Sequence, residues 1–226
     1  MSAMRLVIIL AACLATALAF AGVAAAQEER LPRSADVSVS GIFLDDPASV
    51  VNVLGNPPRP SEDCGYDFPA LEVCNSARTE VLVLLLHYGD LLNSYSEFRV
   101  RKAQESPGRC VTLPGGLQHF VTGKGIRLGT SKRDLIRILG PGFSERRDGE
   151  ETIITYTIEE AQNSSFLRRF NMPGYRGSYH LRDGKVVAFE FGYPDPWPSG
   201  DTERLLPVSG VAPPEREGAR KPGPAQ

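Results

Sequence analysis

Little in this chain suits it to catalysis. Among its 226 residues are only three histidines, His87, His119 and His180. They are scattered, and the cysteine spacings match no zinc pattern, so no metal centre is expected. Gly123-Lys124-Gly125 resembles part of a phosphate loop. The glycine such a loop needs five residues earlier is replaced by Gln118, however, and Leu128 stands where a dinucleotide motif would need glycine. These glycines are therefore expected to form a turn. No histidine lies near a serine or cysteine motif of a nucleophilic enzyme. His180 is expected in a strand, paired with Val187 across Asp183-Gly184 and packed on the face of Phe189 and Phe191. The adjacent acids Glu150-Glu151 and Glu159-Glu160 read as solvated strand ends. Charge of one sign is also lacking: 25 Lys and Arg against 27 Asp and Glu give a net charge of -2, which argues against a nucleic-acid partner. These absences predict a non-enzymatic protein with no cofactor, no metal and no evident small-molecule substrate.

The N-terminus points to export. Met1 to Arg5 is a short basic segment, Leu6 to Phe20 is apolar, and Ala24-Ala25-Ala26 precedes Gln27. Residues 1–26 thus read as a signal peptide cleaved after Ala26, which predicts a periplasmic or secreted protein. A second reading stays open, because Leu10-Ala11-Ala12-Cys13 fits a bacterial lipobox; lipidation at Cys13 would make an outer-membrane lipoprotein. Cleavage leaves Cys64, Cys74 and Cys110, an odd set suited to one bridge in an oxidising compartment. Cys64–Cys74 is the expected pair, because it would close a short loop, and a Cys74–Cys110 pair at a hairpin base is the alternative. The proline-rich segment 194–226 reads as a disordered tail.

One stretch occurs twice. Gly41-Ile-Phe-Leu-Asp-Asp-Pro-Ala-Ser-Val-Val-Asn-Val-Leu-Gly55 returns, slightly lengthened, as Gly125-Ile-Arg-Leu-Gly-Thr-Ser-Lys-Arg-Asp-Leu-Ile-Arg-Ile-Leu-Gly140. Asp46 and Ser131 are N-cap residues, each before apolar positions at helical spacing: Val50, Val53 and Leu54, then Leu135, Ile138 and Leu139. Val51 and Ile136 widen the stripe. Gly55 and Gly140 suit the C′ position, with Pro57 and Pro141 beyond them. Strands are expected over 79–88 and 95–102, and hairpins around Asp148-Gly149 and Asp183-Gly184. The expected fold is α+β, with two tandem repeats, residues 38–112 and 120–193, each a short helix packed on antiparallel hairpins.

The pattern Gly-Ile-x-Leu, short helix, Leu-Gly, then a hairpin with Tyr156 and a strand pair around Arg182-Asp183-Gly184-Lys185 resembles the SmpA/OmlA (BamE-like) outer-membrane assembly lipoproteins. It resembles equally the β-lactamase-inhibitor-protein fold, itself a tandem of such units. The first resemblance implies a scaffold or assembly accessory of the cell envelope that binds protein partners. The second implies an inhibitor of a secreted or periplasmic enzyme. Candidate contacts are the strand tyrosines Tyr88, Tyr95 and Tyr156 and, above all, Phe166, Arg168, Arg169, Phe170 and Tyr175 in the loop before the last hairpin, since aromatics and arginine are common interface anchors. If Phe166 and Phe170 share one face of a helical turn, both rings are expected to be exposed.

Overall fold

The computed structural model describes residues 31–62, 65–87, 89–103, 110–113, 115–159 and 164–194. The expected signal peptide, Cys13, Cys64, Tyr88 and the tail beyond Pro194 lie outside the described residues.

Both repeat helices form where their caps place them. Helix α1 spans Pro47–Leu54; the Asp46 carboxylate accepts from the amides of Ala48 and Ser49, and Pro47 occupies the first turn. Helix α2 spans Lys132–Leu139; Ser131 accepts from the Asp134 amide and donates back to the Asp134 carboxylate. Both end at a glycine with positive φ, Gly55 at 76° and Gly140 at 91°. Arg33 reinforces the second end by donating to the carbonyls of Arg137 and Ile138, so that a cation meets the negative pole of the helix. The apolar stripe of α1 is narrower than expected: Val50 is buried and Val51 is 48% exposed.

The strands are β1 (Ser38–Val39), β2 (Ile42–Phe43), β3 (Ala70–Cys74), β4 (Glu80–Leu85), β5 (Glu97–Lys102), β6 (Val111–Thr112), β7 (Ser144–Asp148), β8 (Glu151–Ile158), β9 (Tyr175–Arg182) and β10 (Lys185–Gly192). A third helix, α3, spans Ser165–Phe170. The hairpins β4–β5, β7–β8 and β9–β10 form where the alternation and the Asp-Gly turns put them.

Their assembly overturns the tandem helix-on-hairpin fold. Eight strands make one mixed sheet in the order β6-β3-β4-β5-β10-β9-β8-β7, and only three short helices accompany it among the described residues. The two segments join at a seam in which β5 pairs antiparallel with β10, from Glu97 opposite Gly192 to Arg101 opposite Ala188. One core runs across the seam; Val50, Leu82, Leu135, Leu167 and Phe189 belong to the same buried cluster. The repeat is thus a recurrence of a capped helix, while the sheet-dominated body is continuous. None of the described helices is long and apolar enough to cross a membrane.

The disulfide is also corrected. Cys74 bonds Cys110, with Cα atoms 5.6 Å apart, and so is not available to Cys64. The cause is β6, which returns parallel to β3 with Val73 opposite Val111 and carries Cys110 to the end of the strand that holds Cys74.

The seam depends on one glycine. A Cβ at Gly192 would stand 2.2 Å from the Ser96 carbonyl oxygen and 2.6 Å from the Glu97 Cα, both backbone atoms that cannot swing aside. Gly192→Ala is therefore expected to lower stability by about 1–3 kcal/mol, the usual cost of overpacking. Chemical denaturation checks this, and an unchanged midpoint would show that the seam has slack.

Candidate functional site

Three regions warrant a functional reading. The first is the loop predicted to carry exposed anchors. Its centre is α3, capped by Ser164 and closed by Asn171 in the left-handed region. Phe166 is buried rather than exposed, at 4%, as are Leu167 and Tyr175 at 0%. Phe166 packs with ring centroids 5.6 Å from Phe170, 5.8 Å from Tyr175 and 6.1 Å from Tyr193. The shared helical face of Phe166 and Phe170 is correct, but it points into the core, because the sheet offers it an aromatic floor. Arg168 and Arg169 are exposed, and Arg169 lies 5.8 Å from the Phe170 ring centroid. Tyr95 and Tyr156 are fully buried, and the Tyr156 hydroxyl donates to the Gly140 carbonyl, tying β8 to the end of α2. The expected Gly123–Gly125 turn forms: the Lys124 amide donates to Asp36, and its ammonium donates to the carbonyls of Pro32 and Arg33.

The second region crosses the seam on the sheet face opposite the helices. Arg99 contacts Glu97 on its own strand at 2.5 Å and Glu190 on β10 at 3.5 Å. His87 lies 3.5 Å from Glu97 and packs on Phe68 at 4.4 Å between ring centroids. Burial alone would raise the Glu97 carboxyl, yet His87 and Arg99 outweigh it and hold it below the usual range. Burial, reinforced by repulsion from Glu97, pushes Glu190 up to about 7. Two carboxyls around one guanidinium are thus driven apart in acidity, as in sites that hold one proton between two acids. Alongside them, Arg101 donates to both Glu72 and Tyr66, and Tyr66 donates to Glu72. None of these acids was singled out in the sequence. The alternation of Phe98 and Val100 with Arg99 and Arg101 is visible in the sequence, whereas the meeting of Arg99 with Glu190 needs the seam.

His180 belongs to this face as well, contrary to expectation. A bulge between Val186 and Ala188 shifts the register, so His180 stands opposite Ala188 rather than Val187. One residue of slip moves a side chain to the other face. His180 there lies 3.4 Å from Glu151, and burial lowers its pKa.

The third region is the end of the molecule that carries the β4–β5 connection. The exposed large apolar side chains among the described residues are Leu31, Phe43, Val51, Leu91 and Leu92. Leu91 and Leu92 are 75% and 55% exposed in that connection. The segment bearing Phe43 is tied to it, since the Asp45 amide donates to the Tyr95 carbonyl and Ser94 donates to the Asp45 carboxylate. Phe43 in turn donates its amide to Ser49 of α1, the helix that carries Val51. Asp90 organises the connection by accepting from the His87 amide and the Ser96 hydroxyl. The two segments that carry Phe43 and the exposed leucines are thus neighbours, and Asp45, Asp46 and Asp90 lie on them.

Among the described residues no group of His, Cys, Asp and Glu is placed to hold a metal ion. No family model matches the chain, and no curated protein or solved structure matches it either.

Proposed function

We propose that this is an exported, non-enzymatic protein of the cell envelope that works by binding a protein partner, docking through the apolar end built from Leu91, Leu92 and Phe43. The carrying observation is the pair of leucines at 75% and 55% exposure on a connection whose backbone is fixed by Asp90. Exposed apolar groups on a held loop lose little freedom on binding. Asp45, Asp46 and Asp90 on the same segments favour a partner that presents an apolar pocket rimmed by cations. The export-like N-terminus and the resemblance to envelope assembly lipoproteins support the location and the class. The loop of Phe166, Arg168, Arg169, Phe170 and Tyr175 contributes at most its two exposed arginines, because Phe166 and Tyr175 are buried.

Burying a leucine is worth about 1.5–3 kcal/mol, and each 1.4 kcal/mol is about tenfold in affinity. A Leu91→Asp/Leu92→Asp variant is therefore expected to weaken capture of the envelope partner by about 100-fold or more, with its melting temperature unchanged. Equal capture by a stable double variant would overturn the docking end. If the captured protein is a hydrolase that loses activity in the complex, the inhibitor reading replaces the assembly one.

A further inference from the structure

We propose that a cleft at the open end of the β5–β10 seam is a binding site for a phosphate group. The pairing of β5 with β10 stops at Arg101 and Ala188, although β5 continues to Lys102 and β10 begins at Lys185. The register of β10 against β9 shifts at the same point, between Val186 and Ala188. Leu128 and Gly129 also line the cleft, held against β10 by bonds from the Gly129 amide to the Val186 carbonyl and from the Val186 amide to the Thr130 carbonyl. The cavity is about 810 Å³, with Leu128, Val186 and Val187 in its lining. That volume suits a small ligand and greatly exceeds one water molecule.

Its polar lining holds three fixed cations and two carboxylates, with Thr79 and His119 besides. Lys102, Lys185, Arg182 and His119 line it, against the carboxylates of Glu80 and Asp183. Lys102 and Lys185 make no ion pair among the described residues, whereas Arg182 is held 2.8 Å from Glu151. Glu80 is already engaged: one oxygen lies 2.7 Å from His119 Nδ1 and the other accepts from the Phe120 amide at 2.9 Å. Its side chain is 7% exposed, against 52% for His119. The buried carboxylate at Nδ1 holds the ring in place beside the cleft; with the proton on Nδ1, Nε2 is an acceptor, suited to a protonated phosphate oxygen. Two ammonium groups without ion pairs and a guanidinium, facing only Asp183 as an unengaged acid, form a donor set for an oxyanion with several acceptor oxygens, and the held His119 ring stands beside them. This inference does not depend on the docking end, which involves other residues.

The test follows the His119 ring signal by nuclear magnetic resonance while the full exported chain is titrated with inorganic phosphate, then with glycerol 3-phosphate, at fixed pH and ionic strength. A saturable shift is expected with both, weakened at least tenfold in Lys102→Gln/Lys185→Gln, while sodium chloride at matched ionic strength produces none. Because both lysines are exposed, the double variant should fold, and an unchanged amide spectrum away from the cleft confirms it. Co-sedimentation with phosphatidylglycerol vesicles but not phosphatidylcholine vesicles, lost in the double variant, would identify a lipid headgroup as the source. Phosphate binding without vesicle binding would identify a soluble phosphorylated ligand. No saturable shift below about 10 mM, a range weaker than about 3 kcal/mol of binding, or equal affinity in the folded double variant, overturns the site.

Discussion

Phe166→Ala should destabilise the fold by about 3–5 kcal/mol, the range for removing a buried phenylalanine. The ring is 4% exposed and meets Phe170, Tyr175 and Tyr193, so truncation opens a cavity bounded by three other rings. Tyr175 stands on β9 and Tyr193 directly follows β10, so these two rings are held in place and the space collapses little, which places the cost at the upper end. Edge-to-face contact adds to the loss; the Phe166 and Phe170 planes meet at 67°. Since a domain's whole stability is about 5–15 kcal/mol, this one change could remove a large share of it. Equilibrium denaturation measures the effect. A loss under about 1 kcal/mol would mean that the ring is free to leave the core, and would restore it as a candidate anchor for partners.

Removing the Cys74–Cys110 bond should cost nearly as much. With its ends 36 positions apart, the bridge restricts the unfolded chain by about 4 kcal/mol in the chain-entropy account. The local consequence is sharper. Strand β6 has two residues and forms one edge of the sheet, so little besides the sulfur bridge and its pairing with β3 retains it. Cys110→Ser is expected to lower the denaturation midpoint and to speed amide exchange at Val111, Thr112 and Leu113 before the rest of the sheet is affected. Non-reducing peptide mapping gives the direct check: a linked peptide containing Cys64 and Cys74 would reject the pairing, and an unchanged midpoint would reject the magnitude.

The parts legible in the sequence are those whose cause is local. Asp46 and Ser131 cap helices because an N-cap needs only its own next three residues, and Gly55 and Gly140 end them for an equally local reason. The Asp-Gly hairpins follow from turn geometry. What stayed hidden depends on distant partners. Ala70–Cys74 is a strand because β4 and β6 flank it, and Glu97 meets Glu190 only because β5 finds β10. The Val187 bulge is a single residue, yet it decides which partner His180 meets on β10, and Val187 lines the cleft beside Lys102. Phe166 had the right periodicity and the wrong destination, since helical spacing says which residues share a face and not what that face meets.

The outer strands of the finished sheet are poor templates: β7 is exposed throughout and reads Ser-Glu-Arg-Arg-Asp, and β6 is very short. The seam is a different matter while the chain is being delivered. Arriving from its N-terminal end, the polypeptide presents β5 about 90 residues before β10 can cover it, and closing so long a loop is slow. During that interval β5 is a raw edge of six residues, open to any passing strand. Its Glu97, Arg99, Arg101 and Lys102 then serve as guards against strangers before they become partners at home.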